Sequence, residues 1–345
     1  MTGACSRLRR AAAGLRDELR YQLALAWELL RDASGLLAVR GGLVRRSTAA
    51  WLRGLEPGAA LAVLEEDEEP AWLELLGATC RRAGRRADAV RLLLRALALD
   101  PERVSALRIL AACGVDRPPG GLFPAAFFHH HLGLGDHILC NALVRHFADS
   151  HGTLGLFVRR RYLESVRFMY RDAPAIRLFA VRDDREVGAF LHDWPQARCI
   201  RLGFEALDLS SSSFAEDFYR QAGLDYTNRW HGTVRRDPGR EEFLFRSLIG
   251  DSGPYLFVHD DPGRGYVIDP ARLPAGVPVV RPRPGLTNNI FDYGLVLERA
   301  QEIHCMDSSF RHVVDTLGLT GPRLFLHLYA KGVDVPSRLP WTVLT

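Results

Sequence analysis

Phe127-Phe128-His129-His130-His131-Leu132-Gly133-Leu134-Gly135-Asp136-His137-Ile138-Leu139-Cys140-Asn141 is the stretch that decides how this chain is read. An apolar run ends in three histidines, two glycines force a tight turn, and Asp136 and His137 stand where an amphipathic segment begins (Ile138, Leu139, Leu143, Val144, Phe147). That layout predicts a buried strand, a glycine turn and a helix start. Such a junction puts backbone N–H groups and a carboxylate at the carboxyl end of a parallel sheet, where open α/β folds bind ligands.

Outward from the turn, the pattern predicts a helix from His137 to Asp149, a strand from Thr153 to Val158, a helix from Tyr162 to Tyr170 and a strand from Ala175 to Val181. A strand at Cys199 to Leu202 and a helix from Phe214 to Ala222 follow, and then a segment from Thr227 to Arg240, rich in arginine and glycine, that reads as an interdomain crossing. A second alternating half has strands at Tyr255 to His259, Val277 to Arg281, Glu302 to Met306 and Arg323 to His327, with helices at Ile290 to Ala300 and Ser308 to Leu317. Short apolar runs alternating with helices mean βαβ units and parallel sheets. The expected fold class is α/β, with two Rossmann-like domains at 122–230 and 240–345 facing a cleft, preceded by an all-α region at 1–118.

That first region is helical by period. Leu15, Leu19, Leu23, Ala26 and Leu29 recur at three and four, which predicts amphipathic helices from about Cys5 to Leu64, before an acidic, solvated run at Glu65 to Glu69. Leu76-Gly77, Cys80, Gly84, Ala89, Leu93, Ala96 and Pro101 fall at the offsets of a tetratricopeptide repeat of about 34 residues. Arg103 to Cys113 resembles the first helix of a following repeat, and Arg117 to Gly121 is a linker by composition. A protein-interaction module and a helical cap on the remaining chain are both open.

Composition sets wide bounds. The 345 residues carry a net charge of +4, too mild to argue for nucleic acid, and Lys331 is the single lysine, as an arginine-biased composition produces. Six scattered cysteines (Cys5, Cys80, Cys113, Cys140, Cys199, Cys305) form no C-x-x-C pair and read as reduced thiols in a cytoplasmic protein. Neither a signal peptide nor a membrane span is expected.

Several motifs carry chemistry. Gly133-Leu134-Gly135 invites a dinucleotide loop, but Ile138 replaces the third glycine, and Arg159, Arg160 and Arg161 stand where an acid is needed. Asp136 is then either a helix N-cap or a general base facing the cleft. Glu302-Ile303-His304-Cys305-Met306-Asp307-Ser308-Ser309-Phe310 runs from a strand into a helix whose first turn offers N–H groups and two hydroxyls, an anion site suited to a diphosphate. His259 and Arg264 can stabilise a leaving phosphate. Asn288 and Asn289 open a helix, where they either cap it or bond a base or ribose, and His327 and Tyr329 end the last strand on the cleft side. Asp260-Asp261 and His129-His130-His131 suggest a metal at first sight, but neighbours on an extended segment point opposite ways, and no metal site is expected.

Leu132-Gly133-Leu134-Gly135-Asp136-His137-Ile138-Leu139, the amphipathic helix after it and the strand Leu154-Gly155-Leu156-Phe157-Val158 together resemble the opening of the heptosyltransferase-type glycosyltransferases of GT-B fold. The resemblance implies an aspartate, here Asp136, that deprotonates an acceptor sugar hydroxyl, with His137 beside it and Gly133, Gly135 and Asn141 on the acceptor side. It implies a nucleotide-sugar donor whose phosphates sit at the helix start of Asp307, Ser308 and Ser309, with no cofactor and no metal, and the residue chemistry adds His259, Arg264, Asn288, Asn289 and His327 as donor-binding candidates. The implied activity is an inverting transfer in bacterial-type glycan or glycoconjugate synthesis, to a glycan, lipid-linked or protein acceptor. The implied location is the cytoplasm or the inner face of the inner membrane, with a protein partner on the helical region open and nucleic acid excluded. A non-catalytic nucleotide-sugar-binding protein and a nucleotide-sugar epimerase on the same plan are the alternatives. The resemblance departs in beginning after more than a hundred helical residues, and in lacking an obvious counterpart of the donor-pocket lysine.

Overall fold

β1 (Ala126–His129) forms the middle of a four-stranded sheet with β2 (Leu154–Arg159), β3 (Ile176–Val181) and β4 (Cys199–Arg201), in the order β3-β2-β1-β4. Every pairing is parallel, with Phe127 opposite Gly155 and Cys199. β1 is buried along its whole length, as a sheet covered on both faces requires. On one face the rings of Phe127, Phe157 and Phe179 pack 5.1–6.2 Å apart between centroids. Gly155 makes that possible, because a Cβ there would lie 2.6 Å from Phe127 Cδ1 and 2.8 Å from Phe179 Cε2.

The computed structural model describes residues 70–119, 121–204, 214–250, 253–332 and 335–345. The helices expected over Cys5 to Leu64 and the acidic run Glu65 to Glu69 lie outside them. The chain divides into two units, one running up to Phe123 and including Ala189–Pro195, the other made of Pro124–Gly188 and Gln196–Thr345. In the first, α1 (Pro70–Arg82) and α2 (Arg86–Leu99) form a helical hairpin followed by α3 (Val104–Ala112). Gly77 lets α1 and α2 approach, since a Cβ there would lie 2.8 Å from Leu93 Cγ, and Ala89 and Ala96 are fully buried. Arg103 ties the start of α3 to Glu74 of α1 at 2.6 Å, and Phe123 packs on Trp194 with centroids 5.2 Å apart.

Both sheets lie in the second unit. Between the strands of the first run α4 (Leu134–Leu139), α5 (Asn141–His151), α6 (Leu163–Met169) and α7 (Asp184–Asp193), and α8 (Phe214–Gln221) follows β4. The second sheet is also parallel throughout, in the order β6-β5-β7-β8-β9, from β5 (Leu256–His259), β6 (Val279–Val280), β7 (Glu302–Cys305), β8 (Arg323–His327) and β9 (Thr342–Leu344). Its helices are α9 (Pro238–Leu248), α10 (Gly294–Glu298) and α11 (Ser309–Leu317). Among the described residues no helix is long and apolar enough to cross a membrane.

Several expectations need correction. The helix expected from His137 starts at Leu134, so Gly135 and Asp136 lie within its first turn, and it breaks at Cys140 before resuming as α5. The helix expected from Ile290 begins as a 3-10 turn, Ile290–Tyr293, and only then becomes α10. α7, α9 and β9 were not anticipated. α9 had a readable start, because Asp237 caps it by accepting the Arg240 N–H at 3.1 Å and Pro238 occupies the first turn.

Gly155→Ala should destabilise the second unit by about 1–3 kcal/mol through overpacking among rigid rings. Gly188→Ala in α7, where an added Cβ meets nothing within 4 Å, should instead stabilise by about 0.5–1 kcal/mol. Urea unfolding of the two variants checks the opposite signs.

Candidate functional site

Beyond β1 the chain passes through His130 and Leu132 to Gly133, the N-cap of α4. One turn in, the Asp136 carboxylate folds back and accepts the Gly133 N–H. A side chain at 133 would collide with that carboxylate and push it out of this position. Asp136 is half-buried. Burial pushes its carboxyl up to about 7, with Lys331 pulling down, Asp307 adding to the rise, and the Gly133 N–H and Arg159 lowering it further.

The opposing junction is built at the end of β7. Ser308 is the N-cap of α11, yet its hydroxyl makes no cap bond and lies 2.9 Å from His259 Nδ1, at the end of β5. The His259 ring packs on Phe310 with centroids 4.6 Å apart, and burial pushes its pKa down to about 4, so the imidazole is neutral near pH 7. The α11 N–H groups are therefore left without a side-chain cap from Ser308. Asp307 is buried and accepts hydrogen bonds from Arg311 Nη1 at 3.0 Å and Lys331 Nζ at 3.2 Å. Lys331 also donates to the Asp307 carbonyl at 2.8 Å. Burial alone would raise the Asp307 carboxyl, but the Lys331 and Arg311 cations bonded to it outweigh that and hold the group below its ordinary range.

The two junctions touch. A Cβ on Gly135 would lie 3.2 Å from His312 Cδ2 and 4.0 Å from the backbone nitrogen of Ser309. His312 is wedged behind this contact, with Nε2 3.7 Å from Asp307 Oδ1 and Nδ1 3.5 Å from Arg229 Nη2. Burial pushes its imidazole down to about 3, so it packs as a neutral ring. Arg229, from the 3-10 turn Tyr226–His231, reaches Asp315 at 3.5 Å and donates to the Pro336 carbonyl at 2.9 Å, and Arg311 donates to the Val335 carbonyl. The 3-10 turn Tyr226–His231 and the segment at Val335 and Pro336 thus brace the site from behind.

Of the residues singled out by sequence, Asp136, His259, Asp307, Ser308 and Ser309 cluster at these junctions, and Gly133 and Gly135 make the turn. The glycines give clearance to Asp136 and His312. His137 is corrected outright. Successive residues on a helix point about 100° apart, so its ring enters the core, fully buried and 4.4 Å from His130, with neither nitrogen bonded among the described residues. Asn141 is buried and structural, donating to the Thr233 carbonyl at 3.1 Å and accepting from Arg145 at 2.9 Å. Asn289 is the cap of its 3-10 turn, accepting the Phe291 N–H and donating to Asp292 at 2.6 Å, and so offers nothing to a base. Asn288 lies at the mouth of a separate cleft. Arg264 is exposed and paired with Asp261 at 2.6 Å. His327 is fully buried in a row of hydrogen bonds, 2.9 Å from both Tyr329 Oη and His304 Nδ1, with His304 Nε2 2.8 Å from Glu302, which also pairs with Arg323. Asp260 and Asp261 take different partners, the Ile268 N–H and Arg264.

Lys331, His312, Arg229 and Arg311 were missed. Three carried no local pattern, because Arg229 comes from a 3-10 turn and Arg311 and His312 from inside a helix. Lys331 did carry one, as the lone ammonium among so many guanidiniums.

No family model and no curated protein matches the chain. Among solved structures it is similar to a glycosyl transferase family 9 protein from Veillonella parvula DSM 2008, at 11% identity over 64% of this chain and 86% of that one, with a TM-score of 0.41.

The raised carboxyl of Asp136 has a thermodynamic sign. Between its ordinary 3.8 and about 7 the folded chain keeps a proton that the unfolded chain has lost, so this group opposes folding increasingly as pH rises through that window. Asp136→Asn removes the opposition. Its Tm relative to wild type should climb from pH 4 to pH 7 and then level off, and a pH-independent difference would contradict the assignment.

Proposed function

We propose that this chain is an inverting, metal-independent glycosyltransferase of the two-domain GT-B plan, moving a sugar from a nucleotide-activated donor to an acceptor hydroxyl. The observation that carries the proposal is the meeting of the Asp136 turn with the Asp307-Ser308-Ser309 helix start, where Gly135 packs on His312 and Lys331 binds Asp307. A carboxylate titrating near 7 is matched to base catalysis at neutral pH. A helix start with a hydroxyl, a neutral imidazole and an ammonium close by is matched to a leaving diphosphate.

In this scheme Asp136 takes the proton of the acceptor hydroxyl as its oxygen attacks the anomeric carbon. The bond from that carbon to the diphosphate oxygen breaks, and the electron pair leaves with the diphosphate. Ser308, the first N–H groups of α11 and Lys331 receive the growing negative charge, while His259 holds the Ser308 hydroxyl in place at 2.9 Å. Asp307 stays paired behind them and orients Lys331. We place the enzyme in the cytoplasm, with the helical hairpin of α1 and α2 as a tetratricopeptide-like interaction element.

A thermal-shift screen of nucleoside diphosphates and nucleotide sugars identifies the donor, since stabilisation follows occupancy. With that donor, Asp136→Asn should lower kcat by about 10²–10⁴-fold while keeping the donor-induced Tm shift, and Ser308→Ala should weaken donor binding. The wild-type rate should rise with pH through about 7 as Asp136 ionises. In Lys331→Met, which lacks the cation that lowers this carboxyl, that limb should move to higher pH. Full transfer by Asp136→Asn would sink the scheme.

A further inference from the structure

Away from the Asp136 junction, α6, α9 and the loop before the 3-10 turn Ile290–Tyr293 enclose a cleft of about 500 Å³. Phe243 of α9 lines it and is 71% exposed, the most exposed large apolar side chain among the described residues, with Leu286 beside it. The polar wall is of a definite kind. Arg240 grips Asp292 through two bonds of 2.8 Å and donates a third, also 2.8 Å, to Glu164, so its guanidinium is matched within the wall. Two carboxylates against one guanidinium leave this lining with no uncompensated cation, and it repels phosphates and carboxylates. The side-chain amide of Asn288 is bonded by no described residue, and Glu164 stays about half exposed. An exposed aromatic face beside uncharged or acidic hydrogen-bonding groups suits a ring with an apolar C–H face and a rim of hydroxyls.

We propose that this cleft is a carbohydrate subsite that takes a neutral pyranose unit, stacked on Phe243 and hydrogen-bonded by Asn288 and Glu164. The subsite uses none of Asp136, Ser308 or Lys331, so it stands whether or not the chain transfers sugar. A glycan acceptor or a glycan tether would both place such a unit here.

Saturation-transfer NMR on the full chain with maltose, cellobiose, lactose and chitobiose tests it, with glucose 1-phosphate and AMP as anionic comparisons. At least one neutral disaccharide should bind, and more tightly than either anion. Phe243→Ala should weaken that binding about tenfold, the scale of one aromatic stacking contact. Asn288→Ala should weaken it too, and Asp136→Asn should leave it unchanged. Phe243 is exposed, so its loss leaves the fold intact. The proposal is overturned if no neutral disaccharide binds, if Phe243→Ala binds as well as wild type, or if an anion binds more tightly.

Discussion

A buried carboxylate, Asp307, is the charge on which the site depends. Removing such a group from water costs several kcal/mol unless partners compensate for it. Here Arg311 reaches it from one turn further along α11, Lys331 from the end of the chain, and His312 stands behind. Two of these partners are themselves held elsewhere, Arg311 by the Val335 carbonyl and His312 by Arg229, while Lys331 bonds the Asp307 carbonyl as well as its carboxylate. A single desolvated charge therefore recruits groups from α11, the 3-10 turn Tyr226–His231, Lys331 and Val335.

The same charge reaches across to the first sheet. Asp307 raises the carboxyl of Asp136, Lys331 lowers it, and burial outweighs both, which leaves Asp136 near the pH where it can both take and release a proton. One ammonium, bonded to Asp307, acts on Asp136 through its charge alone.

The alternation of apolar runs and helices made both parallel sheets legible, because period and strand length are local properties. So were the turn at Gly133 and the helix start at Ser308. Partnerships were not legible, because they are settled by tertiary contact. His137 follows Asp136 in sequence but points into the core, and Asn289 follows Asn288 but serves as a cap. His327 ends a strand as expected, yet its side chain turns into the sheet to meet His304. Lys331 and His312 take their roles from segments far apart in the chain, and no spacing rule links them to Asp136.

The row from Tyr329 through His327 and His304 to Glu302 fixes more than itself. Glu302 accepts, so His304 carries its proton on Nε2, leaving Nδ1 to accept from His327 Nε2, and His327 Nδ1 to accept the hydroxyl proton of Tyr329. Tyr329 in turn accepts the Asp269 N–H at 3.0 Å. Every proton points the same way, and the link between His304 and His327 joins β7 to β8. Slipping β8 by one residue would turn His327 to the opposite face and break the sequence of donors. The second sheet thus has a lock on strand alignment written in side-chain protons, and the loop that carries Lys331 starts where that lock ends.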